Sequence, residues 1–218
     1  MINPTKADAI ISGILESPRE SRSVEFKPSM PWPSNKDLAI SSKSQEIIET
    51  ILAMSNIRDG GKIILGIEKA GPDDNYVSQG MQSEHLKTYD QDLIFDVARN
   101  CGEPEPNFQV LNVSHKKKHF IVFVVQSFAL APIISTNSKY LKQANRSVFH
   151  IRTDKPETKK VTSPSEMREI IDLAIERELD LFSSRMQRFF RTMSNAKVVK
   201  SAIEDQKRFA GEMSDVNE

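Results

Sequence analysis

The sequence predicts an α/β or α+β domain in which helices pack on a mixed β-sheet, followed by a helical tail. Short runs rich in Val, Ile and Phe, such as "KIILGI" and "HFIVFVV", are typical of strands. Apolar residues recur at helical spacing in four other segments, near 7–14, 47–55, 93–98 and 167–175. Strand and helix patterns that alternate along one chain predict a sheet covered by helices.

The first helix is predicted in "KADAIISGILESP", where Pro18 ends the apolar pattern. The next stretch, "ESRSVEFK", predicts a strand with Val24 and Phe26 facing inward. Glu25 points to the other side, so we expect it on a sheet surface rather than in the core. The proline-rich "KPSMPWPSN" predicts an ordered loop anchored by Trp32.

A core helix is predicted in "SKSQEIIETILAMSN". The turn chemistry of Asp59, Gly60 and Gly61 then leads into "KIILGI", a continuous apolar run that predicts one strand buried on both faces. Gly66 within this run indicates a close approach by backbone or ligand.

Two strands, "FQVLNV" and "HFIVFVVQSF", flank the basic "HKKKH" and predict a hairpin. A further strand, "RSVFHIRT", alternates so that Val148, His150 and Arg152 share one face. We interpret His150 as a sheet-face residue rather than a metal ligand, because no second His or Cys stands at ligand spacing.

The last helix of the domain is predicted in "SPSEMREIIDLAIERELDLF", with Ser163 as N-cap, Pro164 at the first helical position and Glu166 completing a capping box. We place the domain at 1–182 and a C-terminal helical extension at 183–218, with the final "GEMSDVNE" frayed. The extension has an apolar stripe that we expect to pack on the domain or to form a homo-oligomer: Met186, Phe189, Phe190 and Met193.

Composition excludes some classes of protein. The 218 residues are 38% hydrophobic and 28% charged, as in soluble globular proteins, and the net charge of zero does not itself indicate a nucleic-acid binder. No run approaches the roughly 18 apolar residues that span a bilayer, so we expect no membrane partner and a cytoplasmic protein. The single cysteine, Cys101, has no partner for an internal disulfide, so we interpret it as structural.

Several stretches taken in order resemble the AlbA_2 domain, the Schlafen-type nucleic-acid-binding domain: "ESRSVEFKPS", "AMSNIRDGG", "KIILGIE", "FIVFVVQSFALAPII", "SVFHIRTDKPETKKV" and "SPSEMREIIDLA". The resemblance covers about residues 5 to 180 and depends on the order and spacing of the motifs. It implies an AlbA_2-like fold and an RNA or DNA partner. In animal Schlafens the related domain belongs to an endoribonuclease that cuts structured RNA such as transfer RNA, and a role in defence would fit a bacterial member.

The resemblance also implies a metal-dependent site of three acidic residues. Glu20 and Glu25 match the first two, whereas Lys69 stands at the third position and Glu68 precedes it. A Mg²⁺ or Mn²⁺ ion held by Glu20, Glu25 and Glu68 would neutralise developing charge on a phosphate and activate the attacking water. Glu68 would reach that ion only through a bulge or a strand end.

Lys69 would repel a cation but attract a phosphate. Asp73 and Asp74 in the following loop are further candidate ligands. Alternatively, Glu20 and Glu25 are ordinary surface carboxylates that form ion pairs with neighbouring basic residues.

Three functions therefore stay open. The chain is a metal-dependent endoribonuclease, a non-catalytic module that binds nucleic acid through Lys27, Lys69, Arg152 and the C-terminal extension, or a regulatory protein that acts through oligomerisation. For Arg152 an ion pair is an equal alternative to a nucleic-acid contact, and Lys27 contacts a phosphate or balances Glu25.

Overall fold

The computed structural model describes residues 4–33, 42–71, 75–136, 140–141 and 147–214. The helices are α1 (Pro4–Glu16), α2 (Ser42–Ser55), α3 (Ser83–Leu86), α4 (Gln91–Arg99) and α5 (Pro164–Ser214). The strands are β1 (Val24–Lys27), β2 (Gly61–Leu65), β3 (Ile67–Lys69), β4 (Tyr76–Ser78), β5 (Gly102–Glu103), β6 (Phe108–His115), β7 (Lys118–Val125), β8 (Ile134–Ser135), β9 (Val148–Arg152) and β10 (Thr158–Lys160). The predicted mixed architecture of strands and helices is confirmed. None of the described helices is both long and apolar enough to cross a membrane.

The central sheet is mixed, as the sequence predicts. Its strand order is β1-β2-β7-β6, with β1 parallel to β2 and the other two pairings antiparallel. The β6–β7 hairpin turns at Lys116 and Lys117, which adopt positive φ angles of 48° and 64°. The basic "HKKKH" is therefore the hairpin turn that the sequence predicts.

Both faces of this sheet are covered. Alternation along β2 sends Ile64 to one face and Ile63 and Leu65 to the other, and all three are fully buried. The Ile64 face packs with Ile11 of α1 and with Phe120 of β7. The opposite face joins the larger core, which includes residues of α2 and α4. Each fully buried aliphatic side chain contributes about 1.5–3 kcal/mol.

The expectation that Glu25 lies on a sheet surface is wrong. Glu25 is paired with Ile63 in the parallel β1–β2 register and is only 9% exposed. Alternation places it on the predicted side of the strand, but that side faces the larger core rather than solvent. The Thr158 and Arg152 side chains of β10 and β9 reach this region, where Arg152 contacts the Glu25 carboxylate.

A second sheet accounts for the strand predicted in "RSVFHIRT". Its order is β10-β9-β8-β5, and all pairings are antiparallel. Helix α2 contacts β2 and β7 of the central sheet and β9 and β10 of the second sheet. At the end of α2, the buried Asn56 side chain bonds to both backbone groups of Ile133 and to the carbonyl of His150. These bonds fix the second sheet against α2.

The predicted strand "KIILGI" is broken at Gly66. Gly66 has a φ angle of +100°, and the chain leaves the central sheet there to form the β3–β4 hairpin. Its N–H donates to the carbonyl of Lys27 at 2.9 Å, and its carbonyl accepts from Gly80 at 2.8 Å. The close approach inferred from the sequence is therefore an approach of backbone to backbone.

Helix α5 begins with the predicted capping box. The N–H of Glu166 donates to the Ser163 hydroxyl at 3.3 Å, and the Glu166 carboxylate accepts from the Ser163 N–H at 3.3 Å. Hydrogen bonds from Lys159 and from the Thr162 backbone lower the pKa of Glu166 to about 2. Only part of the predicted apolar face is buried, because Ile170 is inaccessible whereas Ile171 is 48% exposed.

The predicted extension continues the same helix. The chain divides into two compact units, Met1–Ala174 and Ile175–Glu218, and α5 runs from the first into the second. The predicted boundary at 182–183 lies inside α5. Of the end predicted to fray, 211–214 are helical and 215–218 lie outside the described residues.

We predict that Gly66→Ala destabilises the domain by about 2 kcal/mol, since the position needs a positive φ. A Cβ at Gly66 would also lie 2.8 Å from the carbonyl carbon of Gly80, a backbone atom that cannot rotate away. Urea unfolding monitored by circular dichroism measures the change. Gly13→Ala is the matched control, because nothing lies within 4 Å of its Cβ and alanine favours a helix. Equal stability of the two variants would contradict the strain assigned to Gly66.

Candidate functional site

Glu20 lies at the edge of the central sheet and caps it. Because β1 is an edge strand, the N–H of Phe26 is free to bond outward, and it donates to Glu20 Oε1 at 2.9 Å. The other oxygen, Oε2, accepts from the Tyr76 hydroxyl at 2.6 Å. The Tyr76 ring packs edge-on against Phe26 with 5.1 Å between centroids. Glu20 therefore joins β4 to the edge of β1.

Glu25 lies between two cations. Lys27 Nζ is 2.9 Å from Glu25 Oε1, and Arg152 Nη1 is 2.8 Å from Glu25 Oε2. The contact with Arg152 is a buried ion pair. Lys27 also lies 3.2 Å from Glu46 Oε2 of α2. Burial alone lowers the pKa of Lys27, but the Glu25 and Glu46 carboxylates outweigh it and the pKa is raised.

Arg152 is 1% exposed, and its guanidinium is used within the protein. It donates to the carbonyls of Ser21 and Arg22 at 3.1 and 3.2 Å and to the Thr158 hydroxyl at 3.2 Å. Arg22 Nε returns a bond to the Arg152 carbonyl at 2.9 Å. Of the two alternatives for Arg152, the structure shows the ion pair, and the buried side chain presents no surface to a nucleic acid.

Beyond its reciprocal hydrogen bonds with Arg152, the Arg22 side chain extends towards solvent. Its guanidinium forms ion pairs with Glu169 of α5 and, at 3.7 Å, with Asp154 after β9. Arg22 is 32% exposed in its side chain, so it is more accessible than Arg152. These pairs place the 20–23 segment beside the loop that follows β9.

His150 is buried on β9, and neither of its ring nitrogens has a hydrogen-bond partner. Burial lowers its pKa, Glu49 partly opposes this effect, and Lys160 adds to it. The neutral ring is therefore favoured. The interpretation of His150 as a sheet-face residue agrees with this position.

The structure does not assemble the three predicted metal ligands into a site. Glu20 and Glu25 have no partner in common, and Glu68 is exposed on β3, opposite Val77 of β4. Within the described ranges, no group of three or more His, Cys, Asp or Glu residues could hold a metal ion. Lys69 is also exposed on β3, and Asp73 and Asp74 lie outside those ranges. As arranged, the predicted carboxylates do not fit a divalent cation, which requires several converging oxygen atoms.

An open groove of about 760 Å³ lies beside the segment that contains Glu20. It carries two guanidinium side chains and one aromatic ring within a mostly polar lining: Ser17, Pro18, Arg19, Glu20, Ser21, Arg22, Tyr76, Asp154 and Pro156. Arg19 is exposed at its rim. This surface was not predicted from the sequence, although the two arginines of "SPRESR" between a helix and a strand are a signal for it.

We predict that Arg152→Met destabilises the domain by about 3 kcal/mol, because it leaves Glu25 buried with one cation fewer. Adding Glu25→Gln should recover part of this loss, since the double variant removes both charges. Urea unfolding of the single and double variants measures both effects. Arg99→Met is the control, since its ion pair with Glu105 is about half exposed and contributes about 0–1 kcal/mol. A loss no larger than that of Arg99→Met would contradict a structural role for Arg152.

Solved structures of at least two proteins are similar to the chain. The DIP2311 protein from Corynebacterium diphtheriae matches with 16% identity and a TM-score of 0.47, over 77% of this chain and 29% of that protein. The N-terminal domain of a Nitrosomonas europaea protein, named as related to the ATP-dependent DNA helicase RecG, matches with 17% identity and a TM-score of 0.39. That match covers 72% of this chain and 94% of the domain. The chain thus spans under a third of the length of DIP2311.

No curated protein matches the chain significantly. A protein-family model does match, that of the Schlafen AlbA_2 domain, over residues 20–161. The matched region begins at Glu20, contains the Glu25–Arg152 pair and ends just after β10. It covers well over half of the sequence, so the chain belongs to the Schlafen AlbA_2 family.

Proposed function

We propose that this chain binds nucleic acid, with RNA as the first candidate, through the groove beside Glu20. The observation that carries the proposal is membership of the Schlafen AlbA_2 family over residues 20–161. Nucleic-acid binding is the function that the family suggests, and it requires no metal site.

The groove supports the proposal through its chemistry. Arg19 and Arg22 supply guanidinium groups, which suit phosphate because they donate paired hydrogen bonds in one plane. Tyr76 supplies an aromatic ring of the kind on which unstacked bases pack in single-stranded RNA and DNA. The two carboxylates of the lining differ, since Glu20 is held by Tyr76 and Phe26 whereas the Asp154 side chain is almost fully exposed.

The proposed nucleic-acid contacts in the groove take the place of two residues predicted from the sequence, Lys27 and Arg152. Lys27 is held between Glu25 and Glu46, and Arg152 is buried. Lys69 is exposed on β3 and stays a predicted contact. A phosphate in the groove would compete for Arg22 with Asp154, whose side chain is almost fully exposed, and with Glu169, whose side chain is about half exposed. Exposed ion pairs of this kind contribute little, so their exchange for a phosphate costs little.

We predict salt-dependent binding that is weakened by Arg19→Glu. Fluorescence anisotropy with labelled hairpin RNA, single-stranded RNA and single- and double-stranded DNA should show affinity that falls steeply between about 50 and 200 mM salt. Reversing the Arg19 charge should weaken binding about tenfold and reduce the salt slope by about one, as expected for a phosphate contact.

Arg99→Glu is the matched control for this experiment. It makes the same charge change at an exposed residue of α4 that does not line the groove. Equal affinities of Arg19→Glu and Arg99→Glu would move binding away from the groove, and affinity independent of salt would contradict phosphate recognition altogether.

Metal-dependent cleavage of structured RNA, with Glu20, Glu25 and Glu68 as ligands for Mg²⁺ or Mn²⁺, stays a prediction of the sequence. The geometry does not favour it, since Glu25 is already neutralised by Lys27 and Arg152. We therefore expect transfer RNA to be bound without turnover.

Incubation of the protein with labelled transfer RNA, in Mn²⁺, in Mg²⁺ and in chelator, tests this expectation. Glu68→Gln is the informative variant, because Glu68 is exposed and its replacement should leave the fold intact. Cleavage that needs the metal and disappears in Glu68→Gln and Glu25→Gln would establish the nuclease and require Glu25 to exchange its cations for a metal ion.

A further inference from the structure

The second compact unit, Ile175–Glu218, presents a continuous row of exposed apolar side chains on α5. The row has intervals of four, three, four, three and four residues, and its members are Ile175, Leu179, Phe182, Met186, Phe189 and Met193. All but the half-buried Met186 are between 48% and 62% exposed. Single exposed apolar residues are ordinary, but a contiguous row of this kind marks an interaction surface.

The spacing of the row indicates what kind of partner it fits. Alternating intervals of three and four residues give the repeat of 3.5 that keeps one stripe facing a second helix over several turns. Aromatic and branched side chains then interdigitate across the seam. The surface is therefore shaped for another α-helix with a stripe of equal length.

The charges beside the row indicate the direction of that helix. The segment 176–180 contains Glu176, Arg177, Glu178 and Asp180 and has a net charge of −2. The segment 185–191 contains three arginines and no acidic residue, for a net charge of +3. In a parallel pair of these helices like charges face each other, whereas in an antiparallel pair each acidic half faces a basic half.

We propose that segment 175–193 binds the same segment of a second copy of this chain in antiparallel orientation. The two helices would cross near residue 184 of each copy. Every residue of the row then faces a row residue of the other copy: Ile175 faces Met193, Leu179 faces Phe189 and Phe182 faces Met186, and each of these pairs occurs twice. Such a contact is self-complementary about a two-fold axis, so it closes as a dimer rather than a filament. The inference does not depend on the proposed function, because the row and the groove are separate sets of residues.

The mass of the full chain in solution is the first test. Sedimentation over a concentration series should show a monomer–dimer equilibrium, and Phe182→Glu in the central layer should raise its dissociation constant at least about tenfold. Ser184→Glu adds the same charge two residues away on the opposite side of the helix and should change it little. A wild-type monomer at every concentration, or equal effects of the two variants, would overturn the proposal. Circular dichroism checks that both variants remain folded.

The orientation is tested by disulfide cross-linking at the ends of the row. Ile175→Cys and Met193→Cys proteins should cross-link when mixed, and neither should cross-link with itself. The native Cys101 is buried and does not compete. Self-cross-linking of each variant alone would show a parallel pair and overturn the antiparallel assignment.

Discussion

Burial of Glu25 against Arg152 is the constraint on which the arrangement around β1 depends. Removing a carboxylate and a guanidinium from water costs several kcal/mol for each ion, and Coulomb attraction alone does not reliably offset that cost. Here the guanidinium also donates to the carbonyls of Ser21 and Arg22 and to the Thr158 hydroxyl. Lys27 neutralises the second oxygen of the carboxylate. The pair is therefore tolerated because groups from β1, from β10 and from the segment that precedes β1 complete its shell.

The position of this pair explains why the groove exists where it does. Arg152 holds the carbonyls at 21 and 22, and the Arg22 side chain holds the Arg152 carbonyl in return. These bonds fix the 20–23 segment, on one side of the groove, to the end of β9, which leads into Asp154 and Pro156 on the other. An accessible groove is thus supported by a buried charge pair. Arg152, a predicted nucleic-acid contact, is therefore buried support for the groove, whereas Arg22, which was not predicted, lines it.

Sequence patterns predicted α1, α2, α4, α5 and the central strands because these depend on local periodicity, whereas the four-residue α3 is too short to show it. The alternation of Val24, Glu25 and Phe26 correctly separated the two faces of β1, and the capping box at Ser163 correctly began α5. The same pattern could not show that the Glu25 face is covered, because its cover includes Arg152, which lies far along the chain. The local pattern also could not show the break at Gly66, since its positive φ is accompanied by a hydrogen bond from Gly80, which follows β4. The family resemblance predicted the importance of the Glu20–Glu25 segment, but the partners of each carboxylate are set by tertiary contacts.

A net charge of zero is compatible with two kinds of association because charge acts locally within a Debye length of about 10 Å at 0.1 M salt. In the groove, Arg19 and Arg22 lie beside the carboxylates of Glu20 and Asp154, and the exposed Arg19 is the cation that a phosphate can approach most directly. On α5, the acidic segment 176–180 precedes the basic segment 185–191, which gives the row a direction while adding only +1 to the net charge of the chain. Pairing of α5 would place two grooves in one assembly, so a long RNA that reaches both would gain affinity over one that reaches a single groove. A short oligonucleotide that fills one groove would gain nothing from that pairing, and comparison of the two lengths separates the contribution of the groove from that of the helix.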